Sequence, residues 1–299
     1  MSADLQHVTH ELPDGREVEL VVAGGPTAPA VLFHHGTPQE HESYGPMVEA
    51  VTSRGLRWIA RSRPGYGGST RSPGRTVLDD TLDVTDVLDE LGVERFLSMG
   101  WSGGGPHALA CGAALAPRCA GVVAIAGVAP FAGVAEQGLD FLDGMGPENH
   151  EEFGAALESE DALRAYLVPQ GEELASITGE QVGATLGGLV DAPDLAVLTG
   201  AYAEYVAGSF RGAVATGIDG WLDDDLAFVA PWGFGLDDVM VPVALWQGTE
   251  DRMVPFAHGE WMAARLPDVR AHLLEGEGHL SVGLGRFEEI VEEALTFLG

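Results

Sequence analysis

The run Met99-Gly100-Trp101-Ser102-Gly103-Gly104-Gly105 limits what this chain can become more than any other stretch does. It follows the apolar segment Phe96 to Met99 and precedes an alanine-rich helical pattern, so it reads as strand, sharp turn, helix, with one serine at the apex. Glycines two before and two after that serine suit a turn in which strand and helix come close and the serine holds a strained backbone conformation. Such a turn presents Ser102 Oγ at the end of a sheet. It also sets the backbone N–H of Gly103 at a helix N-terminus, where an unpaired donor and the helix dipole can hold a developing oxyanion. With 42 glycines in the chain, chance matches to G-x-S-x-G are easy, and the strand before and helix after carry the weight.

The surrounding pattern builds a sheet for that turn to end on. Leu5 to Glu11 and Glu17 to Ala23 flank Pro13-Asp14-Gly15 and read as a β-hairpin. Ala30 to Phe33 is a short strand running into His34-His35-Gly36-Thr37-Pro38, a loop at the strand's C-terminal end, where open α/β sheets place ligands. A short helix at Met47 to Ser53 and a strand at Leu56 to Ala60 lead into the glycine-rich Arg61 to Ser69. That loop lacks the lysine and spacing of a phosphate cradle. Val77 to Leu91 repeats apolar residues at helical spacing and stops at Gly92. Gly104 to Leu115 reads as a helix and Gly121 to Val128 as a strand; the alternation implies a parallel sheet with helices on both faces.

After Pro130 the strand signals stop. Phe131 to about Val239 shows helical spacing at Leu195, Leu198, Tyr202 and Val206 and again from Trp221 to Val229, and reads as a helical insertion. Its acidic clusters, Glu148 to Glu152 and Asp223-Asp224-Asp225, are expected to be solvated helix faces or caps. Strands resume at Val241 to Trp246 and Val269 to Leu274, with helices at Glu260 to Leu266 and Arg286 to Leu298.

Charge excludes some functions. Against 46 acidic residues stand 15 arginines and no lysine, a formal net charge of -31 that repels phosphate backbones and anionic membranes. No nucleic-acid or membrane partner is expected. The acidity fits either a high-salt habitat or, the reading we favour, GC-rich codon bias. Cys111 and Cys119 have no metal-ligand spacing and read as small buried hydrophobes. Met1 to Arg16 lacks the apolar core of a secretory signal. The charge-free runs Met99 to Pro117 and Cys119 to Ala135 are broken by glycines, His107 and Pro130, so neither reads as a membrane span. A cytoplasmic protein, monomer or homodimer, is expected.

A serine hydroxyl needs a general base, and the base needs a third group to hold its tautomer. Two later strands end near candidates: Gln247-Gly248-Thr249-Glu250-Asp251 follows one, Glu275-Gly276-Glu277-Gly278-His279 the other. Glu250 is the nearest rival to Asp251 and points the other way if the turn stays extended. Among the other histidines, His258 and His272 fit helix and strand surfaces. His107 lies in the helix after the serine, turned from it, and His34 and His35 alternate across an extended segment, which argues against a metal pair. No metal site is expected.

Five segments in order, His35 to Pro38, Arg63 to Ser69, the serine turn, Gly248 through Asp251 to Pro255, and Gly278-His279, resemble the α/β-hydrolase fold superfamily, of the capped esterase and haloperoxidase-like kind. The resemblance covers nearly the whole chain. It implies a mostly parallel eight-stranded sheet flanked by helices, with a core from residues 1–130 and 240–299 and a helical cap, 131–239, inserted after strand six. It further implies Ser102 as nucleophile, His279 as base, Asp251 as its partner, and an oxyanion hole from the backbone N–H groups of Thr37 and Gly103. Trp101, Phe131 and Trp221 are expected to contact substrate, although such aromatics are more often core. The expected activity is cofactor-free, carboxylesterase-like cleavage of a small, largely apolar ester or related acyl compound. A serine sets the chain apart from the aspartate-nucleophile dehalogenases and epoxide hydrolases. Perhydrolase or haloperoxidase-type chemistry and aminopeptidase chemistry share the triad, and an acidic cap residue would suit an aminopeptidase's ammonium. A non-catalytic ligand receptor is the alternative from another class.

Overall fold

The computed structural model describes residues 5–299. Eight strands form one sheet in the order β1-β2-β4-β3-β5-β6-β7-β8: β1 Gln6–Glu11, β2 Glu17–Ala23, β3 Ala30–His34, β4 Arg57–Arg61, β5 Phe96–Trp101, β6 Cys119–Ile125, β7 Val243–Gly248 and β8 Val269–Leu274. The β1–β2 hairpin and the β2–β4 pair are antiparallel, and every pair from β4 across to β8 is parallel. Residues 1–4 of the expected core segment lie outside the described residues.

The central strands are buried on both faces because alternate residues feed two different layers. Ala30 and Leu32 of β3 enter one layer, while Val31 and Phe33 enter the other. On the first face lie α2 (Asp80–Glu90), α3 (Gly104–Ala114) and α10 (Phe256–Ala263); on the second, α1 (Gly45–Thr52) and α12 (Phe287–Leu295). Each fully buried Leu, Val or Phe contributes about 1.5–3 kcal/mol. Cys111 and Cys119 sit in the first layer as free thiols, and burial pushes both up in pKa, Cys119 to about 12. Leu82 of α2, expected on the apolar face, is exposed.

Between β6 and β7 the chain is helical: α4 (Pro147–Glu158), α5 (Glu160–Leu174), α6 (Gly179–Thr185), α7 (Ala192–Val197), α8 (Gly200–Ala213) and α9 (Asp219–Val229). These share an apolar cluster of their own, including Leu163, Leu167, Val182, Phe210 and Leu222. Tyr66 and Leu280 from the sheet domain join it and tie the layers together. The periodicity from Leu195 to Val206 covers two helices rather than one, because Leu198 leaves the helical conformation (φ -78, ψ 63) between them. Helix α10 begins at Phe256, four residues before the expected Glu260, directly after Pro255. Helix α11 is the short turn Ser281–Leu284.

Candidate active site

The serine turn owes its shape to its glycines. Ser102 holds φ 56, in the left-handed region. A Cβ on Gly100 would overlap the carbonyl of Gly104, and one on Gly104 would overlap the carbonyl oxygen of His34. Only glycine therefore lets α3 start this close to β3 and β5. The turn is fastened by Ser102 N donating to Ile125 O (2.9 Å) and Gly105 N donating to Ser102 O (2.9 Å).

Asp251 and His279 arrive from the ends of β7 and β8. Asp251 Oδ1 accepts the backbone N–H groups of Met253 (2.9 Å) and Val254 (2.8 Å), while Oδ2 accepts Gln247 Nε2 (2.9 Å) and His279 Nδ1 (2.9 Å). The carboxylate is thus aimed and fully bonded. Burial disfavours the charged form of His279, but the Asp251 carboxylate and its hydrogen bond outweigh this and raise the pKa above its ordinary value. With Nδ1 given to Asp251, Nε2 is the nitrogen left to accept a proton. Ser102 and His279 line one cavity of about 260 Å³ together with Trp101, Gly103 and Thr37.

The Gly36-Thr37 loop meets the serine turn closely: a Cβ on Gly103 would overlap Thr37 Oγ1. Thr37 is followed by a cis peptide to Pro38, and Gly36 N donates to Gln39 Oε1 (2.9 Å). Beneath this loop lies a buried ionic cluster that the sequence did not disclose. Asp224 of α9 accepts Thr37 Oγ1 (2.8 Å), Tyr66 OH (2.9 Å), Arg63 Nη2 (2.6 Å) and Arg75 Nη2 (2.7 Å). Arg63 also donates to the carbonyls of His35 and Gly36. Burial alone would raise the Asp224 pKa, but Arg63 and Arg75 hold it below the ordinary carboxylate range.

The expectation of solvated faces at Asp223-Asp224-Asp225 is therefore corrected: all three are buried. Asp223 takes Arg71 (2.8 Å), Asp224 takes the pair above, and Asp225 lines the cavity. Charged residues tolerate such burial only when paired, and the arginines that pair with Asp223 and Asp224 come from the loop after β4. His107 joins the same cluster, with Nδ1 3.1 Å from Asp80, which also bonds Arg61. His258, expected on a helix surface, is buried: Nδ1 accepts from Ala129 N (3.1 Å) and Nε2 donates to Phe141 O (2.9 Å). His34 bonds Ser98 (3.0 Å), and His35 lies edge-on to Tyr66. Among the described residues one group places metal-ligating atoms within 4.8 Å of one another, His7, His41 and Glu42, and it stands outside the cavity lining.

Of the three aromatics expected to contact substrate, two reach the cavity. Trp101 lines it and donates Nε1 to His279 O (3.1 Å). Trp221 lines it and donates Nε1 to Glu152 Oε1 (2.7 Å). Phe131 is corrected: it packs edge-on against Phe141 in the apolar layer and is not in the lining, while Phe153, which meets the other side of that contact through Phe141, is. Sequence reasoning also missed Asp194 of α7. It is fully buried and accepts three consecutive backbone N–H groups, from His279 (3.0 Å), Leu280 (2.8 Å) and Ser281 (3.0 Å). A lone aspartate in an Ala-Pro-Asp-Leu context gives no sign of that reach.

The sequence profile of the alpha/beta hydrolase fold matches residues 29–285. This chain is a member of the α/β-hydrolase family. A non-heme chloroperoxidase from Streptomyces lividans is 29% identical over 239 residues, 79% of this α/β-hydrolase and 79% of that protein. Epoxide hydrolase A from Mycobacterium tuberculosis is 33% identical over 90 residues, 29% of this chain and 28% of that protein. A bromoperoxidase from Bacillus anthracis shares the fold at a TM-score of 0.72 and 22% identity, over 98% of this chain and 99% of that one. An esterase from Exiguobacterium antarcticum does so at 0.68 and 18%, over 98% and 99%. A hydrolase activity for this α/β-hydrolase follows from the family. No helix among the described residues is long and apolar enough to cross a membrane.

Proposed function

We propose that this α/β-hydrolase cleaves a small ester or related acyl compound through an acyl-enzyme on Ser102. In this reading Ser102 Oγ attacks the acyl carbonyl as His279 Nε2 takes its proton, and the N–H groups of Thr37 and Gly103 receive the oxyanion. The His279 imidazolium then protonates the leaving alkoxide. Water, activated by the same nitrogen, releases the acid. Asp251 fixes the tautomer and offsets the imidazolium charge.

One observation carries the reading: the 2.9 Å bond from His279 Nδ1 to Asp251 stands beside a cavity that Ser102 also lines. Aromatic residues of the cap, such as Phe153, Tyr202 and Phe210, line the same cavity and suit an apolar acyl or alcohol group. Two free thiols fit a reducing, cytoplasmic setting. A second reading, with hydrogen peroxide replacing water in the second step, is favoured by the chloroperoxidase matched over 79% of both chains.

The test is hydrolysis of p-nitrophenyl esters from acetate to decanoate by wild type and Ser102→Ala. Turnover by wild type alone supports the acyl-enzyme. Equal rates from both proteins would remove Ser102 from the mechanism.

A further inference from the structure

Two carboxyl groups face each other in the cap wall of the cavity. Glu152 of α4 and Asp225 of α9 both line it and lie within hydrogen-bonding reach of one another. Asp225 is 1% exposed, and its Oδ2 is buried with no hydrogen-bond donor among the described residues. Glu152 already accepts Trp221 Nε1. The arginines that neutralise neighbouring Asp223 and Asp224 make no hydrogen bond or ion pair with either group.

The charge of the cavity as a whole is one-sided. Glu148 and Glu151 also line it, no arginine does, and the chain has no lysine. The one basic side chain present is His279, already paired with Asp251. Rings of Tyr202, Tyr205, Trp221 and Phe228 share the wall. Their faces attract a cation and do nothing for an anion. The pair also has a defined place: Asp225 follows Asp224 directly, and Asp224 accepts the Thr37 hydroxyl on the loop assigned to the oxyanion hole.

We propose that Glu152 and Asp225 form a recognition site for a protonated amine on the substrate. That the amine belongs to a substrate rests on the acyl-transfer reading above; the binding of an ammonium does not. Two adjacent carboxyls with no counter-cation cannot both ionise, so the pair holds one proton between them when the cavity is empty. Burial and the Glu152 carboxyl push the Asp225 pKa well up. An entering ammonium supplies the missing positive charge. The shared proton leaves to solvent, and the site then holds two carboxylates around one cation. A carboxylate-bearing ligand would meet four acidic side chains and be rejected.

The experiment is calorimetric titration of the Ser102→Ala protein with 2-phenylethylammonium, 2-phenylethanol and phenylacetate at pH 7, each in two buffers of different ionisation enthalpy. The expected result is that the ammonium binds about tenfold or more tightly than the isosteric alcohol. Its heat should vary with buffer in the sense of proton release, and phenylacetate should not bind. Asp225→Asn and Glu152→Gln, checked for native circular dichroism, should each remove the preference and the proton release. Equal affinity for ammonium and alcohol, preference for the alcohol, or no binding of the ammonium overturns the proposal. The wild-type side chains carry that comparison even if a variant fails to fold. Because Ser102→Ala has no nucleophile, a failure here is separate from a failure of the ester assay.

Discussion

Asp194 in the cap and His279 in the sheet domain are joined by a hydrogen bond from the histidine's backbone N–H to the carboxylate, 3.0 Å long. The next two N–H groups, of Leu280 and Ser281, reach the other oxygen of the same carboxylate. Gly278 completes the fit, since a Cβ there would overlap Asp194. The residue proposed as base is therefore oriented twice, at its ring by Asp251 and at its backbone by a residue of the inserted cap.

Removing Asp194 should disturb catalysis more than folding. A charge-assisted bond contributes about 1.5–3 kcal/mol, and a displacement on the order of 1 Å in a reacting group can cost about 100-fold in rate. For Asp194→Ala we expect kcat on an activated ester to fall between about tenfold and 100-fold with a smaller change in KM. Labelling of Ser102 by a fluorophosphonate should slow in parallel. A variant with native kcat would show that α7 holds the loop without guiding the base.

The pH dependence tests the Asp251–His279 bond. The base must be neutral to take the serine proton, so kcat/KM should rise with pH through the His279 pKa. That midpoint should lie above the ordinary value of about 6.5, because Asp251 outweighs burial. In Asp251→Asn the main opposition to burial is gone and only the lesser pull of the Asp194 carboxylate still raises the pKa, so the limb should move to lower pH while the rate drops by roughly 1,000- to 10,000-fold. A limb left in place by that substitution would assign the titration to another group.

The sheet was legible because its central strands are short apolar runs between glycine and proline turns, and position after a strand singled out Ser102, Asp251 and His279. Local pattern carries that information. The acids of the cap were misread for the opposite reason. Asp224 and Asp225 look like a solvated run in sequence, but Asp224 is buried against Arg63 and Arg75, about 150 residues away, and Asp225 in a cavity wall. Phe131 was misplaced likewise, since nothing local separates an aromatic that meets Phe141 from one that meets substrate.

Asp224 is where that buried charge is most concentrated. Replacing it by Asn keeps the volume but leaves Arg63 and Arg75 in the interior without their carboxylate, a loss of about 3–5 kcal/mol for a broken buried pair. We expect the urea midpoint of Asp224→Asn to fall accordingly with an unchanged m-value. Activity should fall as well, since the Thr37 hydroxyl loses its charged acceptor and keeps only the bond from Arg63, whose own carboxylate is gone. A midpoint within error of wild type would mean that water or Asp80 takes over the arginines.

Buried neutral histidines should make the fold acid-labile before its carboxylates titrate. His258 gives both ring nitrogens to backbone groups in their neutral roles, and burial lowers its pKa to about 4; burial likewise lowers His34, His35 and His107. A folded pKa below the unfolded one means that the unfolded chain binds more protons. The contribution is then complete above about pH 6.5 and is lost as pH falls toward 4. By pH 5, His258 alone should cost about 2 kcal/mol. His279 and His41 are raised and act in the opposite sense, but they are two against four. Urea unfolding at pH 7.5 and pH 5 should show a clear loss at the lower pH, with a smaller loss in His258→Gln. Equal stability at the two values would mean that these rings accept protons without leaving their partners.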